Sequence, residues 1–222
     1  MASAIFTPLL YLLAFGLGLG KRVTMPGISY LDYLLPGLIA MSSLTNAYTW
    51  VANGLTMGRH YYRTFQVYVQ APIRAVDIVL GEVMAGIMRG LFSAVIILVL
   101  GLLLGSRLQL NPLFFLALLL NCALFATFGV IVGLVSKSEH DTLTFNNFFI
   151  VPMVFFCGTF FPLDQIPWGV RMLIRSLPLT HTNHLLRYPA MNLESMVSLM
   201  ILVGYFSLCL IWGIVLVRRY NE

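Results

Sequence analysis

Apolar residues fill six long runs of this chain, at about 3–20, 32–53, 78–104, 112–135, 142–161 and 196–217. A helix needs roughly 20 residues to cross about 30 Å of hydrocarbon, so each run predicts a membrane span. The expected fold is an all-α integral membrane protein with six transmembrane helices in one domain, 1–222. Lys21 and Arg22 close the first run at the interface, and Gly16, Gly18 and Gly20 let that helix approach a neighbour. A secretory signal carries positive charge ahead of its apolar run; here the charge follows, which favours a retained helix. The same glycines do not make a phosphate loop. That pattern, G-x-x-x-x-G-K-[ST], ending on Gly20 and Lys21, requires glycine and a hydroxyl where the chain has Phe15 and Arg22.

Two segments between the runs follow a different pattern. In "MGRHYYRTFQVYVQAPIRAVD", residues 57–77, Tyr61, Phe65 and Tyr68 fall on one face of a helix and Arg59, Arg63, Gln66 and Gln70 on the other, with Pro72 ending it. An amphipathic interfacial helix is expected over 57–72, serving either as a membrane-surface anchor or as a docking surface for another protein. The segment 160–195 is divided by Pro162, Pro167, Pro178 and Pro189 into two helices too short to cross a bilayer. Val170, Leu173, Ile174 and Leu177 make an apolar stripe in the first, with Arg171 and Arg175 outside it. A re-entrant or interfacial hairpin over 162–189 is expected, with Trp168 at headgroup level.

Composition agrees with this pattern. Of 222 residues, 59% are hydrophobic and 9% charged, whereas a soluble domain is nearer a quarter charged. The net charge of +5 is scattered, with no basic block of the kind that holds nucleic acid. Cys122, Cys157 and Cys209 all lie in apolar runs and read as small buried hydrophobes. Loop charges do not orient the chain. Arg59, Arg63, Arg74, Lys137, Arg218 and Arg219 on one side balance Lys21, Arg22, Arg107, Arg171, Arg175 and Arg187 on the other.

Charges inside spans need a reason, since each costs roughly 2.5–3.5 kcal/mol at mid-depth on insertion scales. Arg89 and Glu82 lie seven apart on the third run and either pair internally or leave Arg89 to meet an anionic or sugar-bearing substrate. Asn46, Asn53, Asn121, Asn146 and Asn147 either hydrogen-bond between helices or line a pathway. His181 and His184 sit at i, i+3, but only Asp164 offers itself as a third ligand, so no metal site is expected. With no G-x-S-x-G elbow, no catalytic residue is expected either.

The run "FCGTFFPLDQIP" followed by "LPLTHTNHLLR" resembles the signature of bacterial ABC exporter permeases of the second type, in the nodulation-factor and drug-exporter branch. That signature is a small-residue turn, then a proline, an apolar residue, a polar ring position and an Arg or Gln. Here these are Gly158, Pro178, Leu179, His181 and Arg187. "DYLLPGLIAM", "APIRAVDIVLGEV" and "GLVSKSEHD" stand where such permeases carry similar text. The resemblance implies a multi-pass protein of the bacterial inner membrane with both termini cytoplasmic. It implies a second permease copy alongside, as homo- or heterodimer, and separate ABC ATPase subunits that bind ATP, with no cofactor on this chain. The 57–70 helix becomes the ATPase-coupling element, carrying Arg59, Tyr61, Arg63 and Phe65, and 162–189 becomes an outer-leaflet hairpin. Asn46, Arg89, Asn146 and Asn147 become pathway candidates, "NNFF" at 146–149 foremost because that span flanks the pathway in similar permeases. The family also implies a cytoplasmic amphipathic helix ahead of the first span, whereas the chain as given begins almost within that span. The expected cargo is a lipid-linked, glycolipid or hydrophobic drug-like molecule. An ion- or proton-coupled transporter is the competing reading, and a membrane-embedded enzyme a more distant one.

Overall fold

The computed structural model describes residues 9–19, 29–106, 108, 110–163, 167–188 and 190–220. Lys21, Arg22, Arg107, Asp164 and Pro189 lie outside the described residues. The chain forms α1 (Leu12–Leu19, wound as a π-helix), α2 (Tyr30–His60), α3 (Thr64–Gln70), α4 (Ala75–Leu103) and α5 (Pro112–Val135). It continues with α6 (Glu139–Phe145), a π-turn (Asn146–Ile150), α7 (Val151–Phe156), α8 (Trp168–Arg175), α9 (Pro178–Arg187) and α10 (Leu193–Tyr220). There is no strand among the described residues.

Among the described residues three helices, α4, α5 and α10, are long and apolar enough to cross a membrane. Helix α2 has 31 residues, about 46 Å at 1.5 Å per residue, and is as long but more polar. The apolar run 142–161 begins within the helical stretch formed by α6, the π-turn and α7, which ends at Phe156, and its last five residues form the turn beyond it. Pro152, at the start of α7, has no N–H to give to an i−4 carbonyl, and the neighbouring Val151 N–H reaches back five residues to Asn146 O.

Helix α2 is the centre of the bundle, with Leu34, Leu35, Leu38, Ile39 and Leu44 wholly buried. Small residues on its neighbours permit that burial. Gly86 and Gly90 on α4, and Gly129 and Gly133 on α5, are two G-x-x-x-G pairs turned toward α2. A Cβ at Gly90 would sit 2.8 Å from Ser43 O, and one at Gly129 2.8 Å from Tyr48 O, so only glycine allows the backbones this near. Polar groups are paired across the same seam. Asn121 of α5 donates to Ser43 Oγ (2.8 Å) and Ala40 O (3.2 Å), and Thr182 of α9 donates to Asn121 Oδ1 (3.0 Å). Ser42 and Ser93 share a short hydrogen bond between α2 and α4.

The helices have two distinguishable ends. Arg59 of α2 reaches Gly133 of α5, and Phe65 of α3 meets Tyr220 of α10, so α3 and the C-terminal ends of these helices gather at one end. At the other end Arg187 of α9 bonds Tyr33, near the start of α2, and α9 packs among α2, α5 and α10. Helix α10 leaves most of its apolar surface outward, including Leu208, Ile211 and Trp212.

Close approach at glycine is directly testable. Gly129→Val should overpack the α2–α5 seam and lower stability by about 1–3 kcal/mol. Gly204→Ala on α10, where a Cβ meets nothing within 4 Å, should be neutral or slightly stabilising, both read from thermal unfolding of the purified protein.

Candidate functional site

Three arginines enter the bundle, and each has an aromatic ring beneath it. Arg187 is the most fully engaged. Its Nε donates to Tyr33 O (3.1 Å) and its Nη2 to Thr159 O (3.2 Å), while the guanidinium lies 3.8 Å from the centre of the Tyr33 ring. Thr159 lies just beyond Gly158, whose φ of +76° is left-handed and ends α7. Tyr33 Oη donates to Gly158 O (2.9 Å), Tyr30 Oη to Phe160 O (3.1 Å), and Asn183 Nδ2 to Cys157 O (2.9 Å). The turn at 157–160 is thus held from α2 and α9 at once. Gly37 opposite it admits no Cβ, which would fall 2.9 Å from Thr159 O.

These contacts explain the spacing of the signature. Gly158 and Arg187 are brought together, since a Cβ at Gly158 would stand 3.7 Å from Arg187 Nη1. Pro178 starts α9, where a missing N–H does no harm. His181 turns the other way, with Nδ1 3.2 Å from Ser198 Oγ of α10. Burial pushes the pKa of the His181 imidazole down, and nearby His184 acts in the same direction, against a hydrogen bond to the Arg175 backbone that raises it. His184 lies 3.7 Å from Glu194, and no His, Cys, Asp or Glu cluster fit for a metal occurs among the described residues.

At the opposite end the structure revises the expected helix of 57–72. Helix α2 runs on to His60, and a left-handed Arg63 (φ 54°) separates it from α3. Tyr61 and Phe65 are therefore not on one helix, and the expected Tyr61–Phe65–Tyr68 face does not form. Phe65 alone is buried, at 2% exposure, against Tyr220 (5.5 Å between ring centres), while Tyr61, at 67%, and Tyr68 face outward. Arg59 is also not on an outward basic face with Arg63. Its Nη1 donates to the carbonyls of Gly133 (2.8 Å), Leu134 and Ser136 (3.2 Å). The physical reason is that the last carbonyls of α5 have no partner inside their own helix and draw a cation to the negative end of its dipole. The Arg59 guanidinium also covers the Tyr220 ring at 4.6 Å, and Arg59 O accepts from Gln66 Nε2 (3.1 Å) on α3.

Arg89 lies midway along α4. It forms no ion pair with Glu82; its guanidinium stacks 3.6 Å from the centre of the Trp50 ring on α2. Both residues line a cavity of about 400 Å³ together with Asn46, Asn53 and Ser93. Asn46 Nδ2 donates to Ser93 Oγ (2.8 Å) and Ser42 O (2.9 Å). Two of the expected pathway residues, Asn46 and Arg89, are thus brought together. Asn146 and Asn147 sit apart from them on the π-turn, where Asn146 Oδ1 is buried with no partner among the described residues. Sequence reasoning missed Tyr33, Trp50 and Tyr220, the rings beneath the arginines, because ring and cation lie on different helices.

An all-helical bundle with long apolar helices, a broken connecting helix at one end and a glycine–arginine tie at the other is a membrane protein. Residues 1–191 match the family described as ABC-2 type transporter, and the chain belongs to that family. It is 28% identical to the inner membrane transport permease YadH of Escherichia coli strain K12 over 97% of this chain and 86% of that one. It is 32% identical to nodulation protein J of Rhizobium leguminosarum bv. trifolii over 81% of this chain and 70% of that protein. Nodulation protein J of Rhizobium meliloti strain 1021 is 31% identical over the same shares, 81% and 70%.

The tie at Arg187 should be structural and specific to arginine. Arg187→Lys cannot serve both carbonyls and the Tyr33 ring together, so stability should fall by about 1–3 kcal/mol. Gly158→Ala, forced to hold a left-handed φ, should lose about 1 kcal/mol or more. An unchanged melting temperature in Arg187→Lys would remove the tie from the account.

Proposed function

We propose that this chain is the permease subunit of an ATP-driven exporter in a bacterial inner membrane. It pairs with a second permease copy and is driven by separate ATPase subunits. Six crossings are formed by α1, α2, α4, α5, the α6–α7 stretch and α10, with both termini cytoplasmic. Helices α8 and α9 form the outer hairpin, re-entering the bundle along the buried side of α9. The cargo is a lipid-linked, glycolipid or drug-like amphiphile. ATP is bound and hydrolysed on the partner, and this chain's own part is mechanical.

The observation that carries this reading is α3. It is a seven-residue helix that could not stand alone in water, yet it is anchored outside the bundle by one buried ring, Phe65, and by the Gln66–Arg59 bond. Tyr61, Tyr62, Arg63 and Val67 remain outward around it. Aromatic and arginine side chains are the types that concentrate binding energy at protein interfaces. Arg59 acts one step behind this surface, joining α3 to α2, α5 and α10, so force on α3 passes into three long helices.

Two measurements separate these roles. Tyr62→Ala with Arg63→Ala should leave insertion and melting temperature unchanged while reducing co-purification of the ATPase subunit. Arg59→Ala should instead lower stability, by about 1–3 kcal/mol, because it strands carbonyls at the end of α5. Full export by the Tyr62–Arg63 variant would move the docking surface elsewhere.

Orientation has its own test. A single cysteine at exposed Arg175 on α8, in a background lacking Cys122, Cys157 and Cys209, should react with an impermeant thiol reagent in intact cells. Reaction only after the cytoplasmic face is opened would invert the topology.

A further inference from the structure

Arg89 is the fifteenth of the 29 residues of α4, leaving about 21 Å of helix on either side. No arginine side chain can snorkel that far, so its charge must be met where it stands. The Trp50 ring covers one face of the guanidinium, but a ring does not neutralise a cation. The cavity is lined by the polar side chains of Asn46, Thr49, Asn53, Tyr62 and Ser93, with no carboxylate among the described residues.

A second copy of the chain does not complete the site. A two-fold axis along the membrane normal carries every group to its partner at the same depth. Among the described residues the nearest carboxylate to Arg89 along α4 is Glu82, seven residues or about 10 Å away toward the end of the helix, and Asp77 is further still. Asp32 lies at the start of α2 and Glu194 at the start of α10, both toward an end of the bundle. Glu139 and Asp141 stand in the first turn of α6, so among the described residues no carboxylate is placed at the depth of Arg89, and its counter-charge is left to a bound molecule.

We propose that this groove binds the anionic headgroup of an amphiphile, with Arg89 as its counter-charge. The proposal rests on reading the chain as a carrier of amphiphilic cargo and gives that cargo a charge. The exposed edges of Trp50 and Phe92 open the groove to the side of the bundle. A volume of about 400 Å³ suits a headgroup and not a whole lipid. Outside the groove, Met84, Met88 and Val95 lie exposed along α4, continuing from Phe92 as an adaptable apolar track for an acyl tail. The headgroup accepts from the Arg89 N–H groups and from Thr49 and Asn53 beside it, with Trp50 fixing the guanidinium plane.

The test uses the full chain in nanodiscs of zwitterionic lipid, without the ATPase subunit. Trp168→Phe and Trp212→Phe leave Trp50 as the single tryptophan, reporting on the groove by fluorescence. Decyl phosphate should give a saturable change, while decyl maltoside, with the same tail and a neutral head, should bind about tenfold more weakly or not at all. Arg89→Gln should weaken decyl phosphate about tenfold, and Arg89→Lys should restore much of it. Inorganic phosphate equal to decyl phosphate would make this a site for a free anion and overturn the amphiphile. Equal binding of the neutral probe, or an unaffected and folded Arg89→Gln protein, would overturn the anionic headgroup. Should Arg89→Gln fail to fold, the ranking of the three probes on the parent protein decides alone. Because no ATPase is present, failure here leaves the coupling role of α3 standing, and failure of that role leaves this result standing.

Discussion

A guanidinium in an apolar bundle has few ways to lose water without great cost, and this protein uses one of them three times. Arg59, Arg89 and Arg187 each lie over a ring contributed by another helix, Tyr220, Trp50 and Tyr33 respectively. Carboxylates are not the partners. Arg59 donates to carbonyls freed where α5 ends, and Arg187 to Tyr33 O and to Thr159 O just past the end of α7, so these contacts serve a buried charge and orphan acceptors together. Arginine suits this better than lysine because its donors are spread in a plane that can stack and bond at the same time. The positions of the two helix ends depend on these contacts.

Arg89 breaks the pattern in a telling way. It keeps the ring but has no helix end nearby, since it stands at the middle of α4. Its surroundings are side chains, Thr49 and Asn53 among them, which can turn toward a visitor as helix-end carbonyls cannot. The same chemistry that is structural at both ends is left incomplete in the middle. That contrast, and not the presence of an intramembrane charge alone, distinguishes the α2–α4 groove.

How far the sequence could be read depended on whether the partners were near each other in the chain. The apolar runs depend on residues within one helix, and the runs at 78–104, 112–135 and 196–217 correspond closely to α4, α5 and α10. The signature text holds both Gly158 and Arg187, but that they meet across Thr159 and Tyr33 was not legible, because the partners lie on different elements. The helix of 57–72 was misread because periodicity assumes an unbroken helix. Arg63 in the left-handed region resets the phase, so Tyr61 and Phe65 no longer share a face. Arg59 was placed outward because nothing local records that the end of α5 lies beside it. The paired glycines at 86 and 90, and at 129 and 133, stand in the sequence as G-x-x-x-G, a pattern passed over in favour of the glycines at 16, 18 and 20.

Helix α2 links these features physically. Tyr33 near its start, Trp50 in its second half and Arg59 at its end belong to the three arginine contacts in turn. Glycine contacts from α4 and α5 hold its middle against sideways movement, since a backbone packed at carbonyl distance cannot slide without clashing. Pro36 and Gly37 interrupt the stiffness near the start, where the proline removes one ladder bond and the glycine faces the 157–160 turn. On the proposed coupling role of α3, a push at Arg59 bears on α2 as one stiff rod that also carries Trp50, with Pro36 its one proline interruption, beside the turn that Arg187 holds. In such an arrangement, docking at α3, the groove at Arg89 and the tie at Arg187 respond to one helix, and coupling among them needs no further relay.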